Sequence, residues 1–368
     1  MTTTPAGPAG FRPVVFRHLL LHQLSFVPAG LAFVYVVTGP HVWWQSLLLV
    51  VPLLLFQLAD NFSPDETRQP PDEMPRFPFD AMLYVMFVMR LATVVLGARL
   101  ISQIGFLSLD GLLMLLLVGG SGGFSIITAH ELIHRREAHF RMMGRIMLGV
   151  VLYEHFYTEH VRGHHVRVGT LNDPATARFG ERFGAFFRRT LPAQFRSAWR
   201  LETKRLGDVD MGLFDRRILK SRVLGGLVAE WTFTIAIFGV FGWRAFVFQL
   251  VQASMAVTAL EVVNYFEHWG LQRSPGTRVQ PIDSWDTTNK VTLYGLVGLS
   301  RHADHHAFAS RPFQQLRHWD ESPKLPRGYP GMIRLVLFNN RRFQLQMTEA
   351  LKRARLGPFR EEVEPASP

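Results

Sequence analysis

Nine histidines in four short runs are the residues of this chain best suited to chemistry. HELIH holds His130 and His134, EHVRGHH holds His160, His164 and His165, NYFEH ends at His268, and RHADHH holds His302, His305 and His306. They are nine of 15 histidines in a chain with no cysteine, which excludes thiolate metal sites, a catalytic thiol and a fused cysteine-ligated electron-transfer module. One such run is compatible with a solvated surface; four at ligand spacing point to metal. On an α-helix, positions i, i+3 and i+4 share a face. That places His130 with His134, His160 with His164 (and His165 beside them), and His302 with His305 and His306. Imidazole suits iron, copper, nickel and zinc, and zinc is satisfied by about four ligands. Nine donors exceed the needs of any single ion, so two ions with four or five histidines each is the economical assignment. All-imidazole ligation leaves the ions' charge uncompensated, so carboxylates should lie nearby. Glu131, Glu159, Glu267 and Asp304 each adjoin a histidine of the set and are candidates to accept a far ring N–H and fix its tautomer.

Two other chemistries compete. HELIH matches HExxH, in which two histidines hold zinc and the glutamate is the general base of a protease, but that reading leaves seven clustered histidines without a role. A metal transporter or store would need ligands along a path through the membrane, whereas these gather at one level.

The elements that carry the histidines read as membrane helices. The chain has 368 residues, is 48% hydrophobic and contains 30 Phe. Its apolar residues concentrate in six runs, roughly 19–38, 42–59, 81–101, 106–129, 223–241 and 245–265. Each approaches the ~20 residues a helix needs to cross the hydrocarbon layer. Short turns near Gly39-Pro40, Gly105 and Gly242 pair them into three hairpins. The expectation is an all-α integral membrane protein of about six transmembrane helices with a helical, histidine-rich cap. A single domain spans 19–345, between a flexible N-terminus (1–18) and a C-terminal tail (346–368). No small-residue cleavage site follows the first run, which therefore reads as a retained helix.

Charge orients this arrangement. The net charge is +11, and 18 of the 40 Lys and Arg fall between residues 130 and 222, whereas the hairpin turns carry only Arg99 and Arg244. The positive-inside rule then puts the termini, the 60–80 loop, the 130–222 region and everything after 268 in the cytoplasm. Both histidine-bearing regions thus share the cytoplasmic side of the membrane. Basic residues flanking membrane helices answer to anionic lipid, and no nucleic-acid motif is present. Arg90 stands alone in the third run; it either faces the bundle interior, with Asp110 as partner, or snorkels to the edge. MTTTPAGPAG and EEVEPASP are expected to be frayed ends.

The four boxes, in this order within six spans, resemble the membrane-bound di-iron hydroxylase and desaturase superfamily, and within it the bacterial alkane 1-monooxygenase family. The likeness rests on HFYTEHVRGHHVRVGTLNDPATARFGE (155–181), NYFEHWGL (264–271), RHADHHAFASRPFQQLRHW (301–319) and PKLPRGYPGMI (323–333). The resemblance implies O2-dependent hydroxylation of the terminal methyl of medium- or long-chain alkanes to primary alcohols at two iron ions. It implies electrons from rubredoxin or a similar small acidic carrier, itself reduced by a nicotinamide-dependent flavoprotein reductase. It also implies ligands at His130, His134, His160, His164, His165, His268, His302, His305 and His306. The chain departs from the family pattern at Ile282-Asp283-Ser284-Trp285-Asp286, at Gly298-Leu299-Ser300-Arg301 and at Ile133. No departure removes a ligand. A lipid desaturase or an aromatic-methyl or terpenoid hydroxylase would use the same metals and stays open on sequence grounds.

Overall fold

The computed structural model describes residues 13–212 and 214–360; MTTTPAGPAG and EEVEPASP lie outside the described residues. Among the described residues the chain is all-helical, with two isolated β-bridges and no strand. Six helices are long and apolar enough to cross a membrane. They are α1 (Pro13–Thr38, broken by one 3-10 turn at Gln23–Ser25), α2 (Trp43–Asn61), α3 (Phe77–Ile104) and α4 (Leu109–Ile133). Beyond the shorter α5 (Ala138–Val150) and the more polar α6 (Phe183–Arg205) come the other two, α7 (Arg222–Phe241) and α8 (Trp243–His268). Short helical segments at Phe156–Glu159, His160–His164 and His165–Arg167 lie between α5 and α6, and after α8 come α9 (Lys290–Gly295), α10 (His302–Ala307), α11 (Tyr329–Phe338) and α12 (Asn340–Ala354).

The six expected spans are all present, but several helices run beyond their apolar runs. Helix α1 starts at Pro13, α4 continues to Ile133 and α8 continues to His268. A helix stops where its backbone loses partners, not where its side chains turn polar, so the boxes extend the same rods that carry the apolar residues. That continuation holds His130 and His268 rigidly at one end of the bundle. The chain also remains helical beyond residue 345: α12 buries Phe343, Met347 and Leu351.

Helices α4 and α8 form the central pair. Glycines allow their close approach: a Cβ at Gly119, Gly122 or Gly123 would collide with Met255, Ala256 or Ala259. Small residues at such crossings are the usual means of packing helices in lipid. At the end remote from the histidines, Tyr35, Ile101, Met114, Val118 and Phe248 form one apolar cluster. Trp43, Trp44 and Trp243 stand exposed there, where aromatic side chains mark a membrane boundary. At the histidine end, Phe79, Met86, Ile133, Phe140 and Met147 form another.

Arg90 lies in the interior, only 4% exposed, so it does not snorkel. Its partner is not Asp110. Arg90 donates to the Val118 carbonyl (3.2 Å) and to Gln252 Oε1 (2.5 Å). Asp110 instead accepts from the Tyr35 hydroxyl (2.6 Å), the His41 backbone N–H (2.9 Å) and Ser46 (3.2 Å), clasping the start of α4 to α1 and α2.

Candidate metal centre

All nine histidines converge, and they divide into two groups. His130, His134, His160, His165 and His305 present ring nitrogens within 4.8 Å of one another. The same limit joins His164 with His268 and His306, and joins Glu267 with His268 and His302. The Nε2 atoms of His302 and His306 lie 3.0 Å apart, so these residues form one second group of four imidazoles and a carboxylate.

The division does not follow α-helical faces. His160 and His164, which share a face at i and i+4, belong to different groups, and so do His305 and its neighbours His302 and His306. The cause in the first case is local. Residues His160–His164 form a π-helical turn, whose wider i→i+5 repeat lines up His160 with His165 and leaves His164 to the other group. Such turns are rare and recur at functional sites.

The contacts between rings suit cations better than protons. His165 Nε2 faces the Nε2 of both His160 (3.0 Å) and His305 (3.2 Å). His302 Nε2 faces the Nε2 of both His306 (3.0 Å) and His268 (3.3 Å). One N–H can satisfy only one of two acceptors. The Nε2 atoms of His134 and His164 are buried with no protein partner. Nitrogens bound at ~2.0–2.1 Å to one ion would stand roughly 3.0–3.4 Å from one another, which is the spacing seen. Burial, followed by the neighbouring imidazoles, holds His160, His165, His302, His305 and His306 well below the ordinary histidine range. Neutral imidazole is the ligating form.

The four carboxylates sit differently from one another. Glu267 lies among the donors, with Oε2 3.3 Å from His302 Nε2, and is held by the Tyr329 hydroxyl, which donates to Oε1 at 2.5 Å. The other three face arginines instead of ring nitrogens. Glu131 pairs with Arg135 Nε at 2.7 Å and accepts from the Phe313 N–H at 3.3 Å. Glu159 pairs with Arg167 at 2.6 Å. Asp304 pairs with Arg311 and accepts from Trp319 Nε1 (2.8 Å) and the Arg317 N–H (3.0 Å).

The carboxylate that grips the Nδ1 of one of the nine histidines is Asp173. Its Oδ2 is 2.9 Å from His164 Nδ1 and also accepts from Thr176 at 2.6 Å. Burial opposes its charge, but His164 and the two hydrogen bonds outweigh burial and hold its pKa below the usual value. Asp173 lies in a loop, so no helical spacing singles it out. Asp286, likewise outside any helical histidine spacing, accepts from the Ala303 N–H (2.7 Å) and from Ser322 (3.0 Å), which fixes the start of α10. Within the segment that departs from the family pattern, Trp285 Nε1 also donates to the Trp269 carbonyl (3.0 Å).

A mostly apolar pocket leads to this centre. Phe124, Ile127, Leu260, Val263, Leu299 and Ile333 supply apolar wall, and His130, His160, His302 and Glu267 form part of the lining. It therefore touches both groups.

Comparison with known proteins agrees with this geometry. The fatty acid desaturase family model matches residues 109–335. Alkane 1-monooxygenase 1 of Pseudomonas aeruginosa is 36% identical over 81% of this chain and 80% of its own length. The chain belongs to the alkane 1-monooxygenase family, within the fatty acid desaturase superfamily. Alkane 1-monooxygenase 1 of Alcanivorax borkumensis is 32% identical, covering 88% of this chain and 82% of that protein. The Acinetobacter baylyi alkane 1-monooxygenase is 31% identical over 85% and 76%. This is a family of di-iron oxidoreductases. The protease reading loses its base, since Glu131 is committed to Arg135 and the Phe313 N–H.

Proposed function

We propose that this protein hydroxylates the terminal methyl of medium- or long-chain alkanes to primary alcohols. One atom of O2 enters the product and the other leaves as water, with two electrons and two protons consumed. The observation that carries the reading is the apolar pocket lined at once by His130 and His160 of one group and His302 and Glu267 of the other.

His130, His134, His160, His165 and His305 would hold one iron, and His164, His268, His302 and His306, with Glu267, the second. Bound there, the pair would supply the redox chemistry that an unactivated C–H bond demands and no side chain provides. Asp173 keeps the His164 Nε2 lone pair directed inward, and Tyr329 steadies Glu267. An alkane offers no polar handle, so the walls can orient it only by shape and by excluding water. At ~0.8 kcal/mol per buried CH2, a substrate dissolved in the bilayer is already out of water and has only to slide endways. Gly120, Gly123, Ala259 and Leu260 line the pocket and are half-buried, which leaves that side open towards lipid.

Electrons come from rubredoxin or a similar small acidic carrier, reduced by a nicotinamide-dependent flavoprotein, since the chain has no cysteine of its own. Its docking face is the cleft lined by Arg178, Arg196, Arg200 and Lys204, whose lining also includes Asp173. Arg135, basic in sequence, is buried against Glu131 and Asp80 and takes no part in docking. The Lys and Arg excess at the histidine end supports a cytoplasmic location for that end.

The test is mass spectrometry of products from purified protein supplied with alkanes of graded length, 18O2, rubredoxin and its reductase, with metal analysis alongside. We expect singly labelled 1-alkanols and two irons per chain. One zinc per chain without hydroxylated product, or alkenes in place of alcohols, would overturn the reading.

A further inference from the structure

The hydrocarbon pocket is apolar along its walls but not at its metal end. Of the polar residues there, His130, His160 and His302 belong to the two groups, and Glu267 is held between His302 and the Tyr329 hydroxyl. Asn264 is the polar lining residue that these roles leave out. It is buried and lies four residues before His268 on α8, so the two share a helix face, about 6 Å apart along the axis. Its amide Nδ2 donates to Glu261 Oε2 at 3.3 Å. Its Oδ1 and second amide N–H take no partner among the described residues.

Glu261 fixes which way that amide points. It is itself fully buried, and its Oε1 accepts from the Tyr153 hydroxyl (3.0 Å) and from Gln194 Nε2 of α6 (2.9 Å). Those two bonds anchor the carboxylate from outside the pocket. An ionised carboxylate only accepts hydrogen bonds, so it attracts Nδ2 and repels Oδ1, and the Asn264 carbonyl turns away from it. A pocket that served hydrocarbon alone would gain nothing from a free carbonyl, since an unpaired polar atom is costly in apolar surroundings. A hydroxyl formed at the metal end reverses that balance, because it needs an acceptor where the walls exclude water.

We propose that Asn264 is the site that receives the product hydroxyl. The O–H of the 1-alkanol donates to Asn264 Oδ1, and the free amide N–H donates in turn to the alcohol oxygen. The alkyl chain keeps the place of the alkane from which it came, so no covalent bond changes in this step. A site built to pair a hydroxyl discriminates against a ligand that lacks one, because its own polar atoms are then left unpaired. The pocket therefore holds a primary alcohol more tightly than an apolar molecule of the same shape. Added 1-alkanol then inhibits the enzyme by occupying the alkane's place.

The inference rests on the hydroxylase reading, and the test separates the two. Protein in lipid nanodiscs is loaded with radiolabelled decane in the absence of reductant. The label is then displaced by 1-decanol or by 1-fluorodecane, which is close to the alcohol in shape but has no O–H to donate. From wild type, 1-decanol should displace decane at about one-tenth the concentration that 1-fluorodecane requires, the scale of one buried hydrogen bond. Asn264→Leu, which is similar in volume, should bring the two displacers together while decane is still retained. Glu261→Gln presents an amide N–H to Asn264 Nδ2 and should turn the Asn264 carbonyl away from the pocket. It should weaken 1-decanol alone, whereas a merely structural role for Glu261 would weaken decane as well. Equal displacement by the two compounds in wild type would overturn the hydroxyl site, however the variants fold. Iron loss in Asn264→Leu, with decane and 1-decanol weakened alike, would also overturn it by making Asn264 part of the metal centre. If turnover with rubredoxin and its reductase yields no alcohol although wild type prefers 1-decanol, the hydroxylase reading fails and the hydroxyl site stands.

Discussion

The Nε2 atoms of His160 and His165 face each other at 3.0 Å although the two residues are five positions apart in the chain. The π-helical turn between them sends His164 to the other group, where its ring centroid lies 4.8 Å from that of His268 and 4.9 Å from that of His306. One short segment therefore supplies both halves of the centre and sets their separation.

Adjacent histidines should consequently fail in different ways. His165→Ala is expected to empty the five-histidine group and His164→Ala the other, each leaving about one iron per folded chain and no hydroxylation. Metal analysis on the monodisperse fraction, with Mössbauer spectra to distinguish the remaining ion, checks this. His318→Ala, outside the nine, should keep both irons. Identical spectra from the first two variants would contradict the division.

Asp173 orients His164 without being in the metal-binding set itself. Changes of this kind usually cost ~10–100-fold in metal affinity or activity, so Asp173→Asn should weaken iron at the His164 group by that order and spare the other. Chelator competition resolves the two irons. Equal weakening of both would indicate loop collapse instead of a lost hydrogen bond.

Chain length should respond to Gly120. It lines the pocket ten residues before His130, about 15 Å along α4, and a Cβ added there meets nothing within 4 Å. Gly120→Leu should therefore fold normally and shorten the longest alkane accepted. Each excluded CH2 forfeits ~0.8 kcal/mol of burial, so the profile should fall stepwise with length. An unshifted product profile would place the substrate elsewhere.

Docking through the arginine-lined cleft should be electrostatic. Turnover at limiting rubredoxin should fall as salt rises, and Arg196→Glu with Arg200→Glu should lower the association rate while kcat at saturating carrier is retained. Arg135→Gln should behave differently. It breaks a buried pair, for which ~3–5 kcal/mol is typical, and should appear as lost thermal stability with salt dependence unchanged. A salt-independent rate would remove charge from the docking account.

Much of this molecule is legible in its sequence because the physics involved is local. Each apolar run long enough to cross hydrocarbon must be a helix, since lipid offers no other partner for backbone N–H and C=O groups. The absence of cysteine and the four histidine runs restrict the metal chemistry to imidazole and carboxylate. Helices run past their apolar stretches where box residues continue the same rod, as at Ile133 and His268, because polarity and helicity are separate properties.

What the tertiary structure alone decided is which groups meet. The sequence puts Glu131, Glu159, Glu267 and Asp304 on equal footing beside histidines, and only packing reveals that Glu267 joins the donors while the other three are taken by Arg135, Arg167 and Arg311. It also withholds Asp173, since a loop residue approaches His164 by tertiary placement and not by spacing. Arg90 and Asp110 look like a pair on neighbouring spans, yet they lie at different depths and find partners in Gln252 and Tyr35. Spacing along one helix determines which side chains share a face. The partner each face meets depends on how separate helices cross, and a single helix's sequence does not encode that.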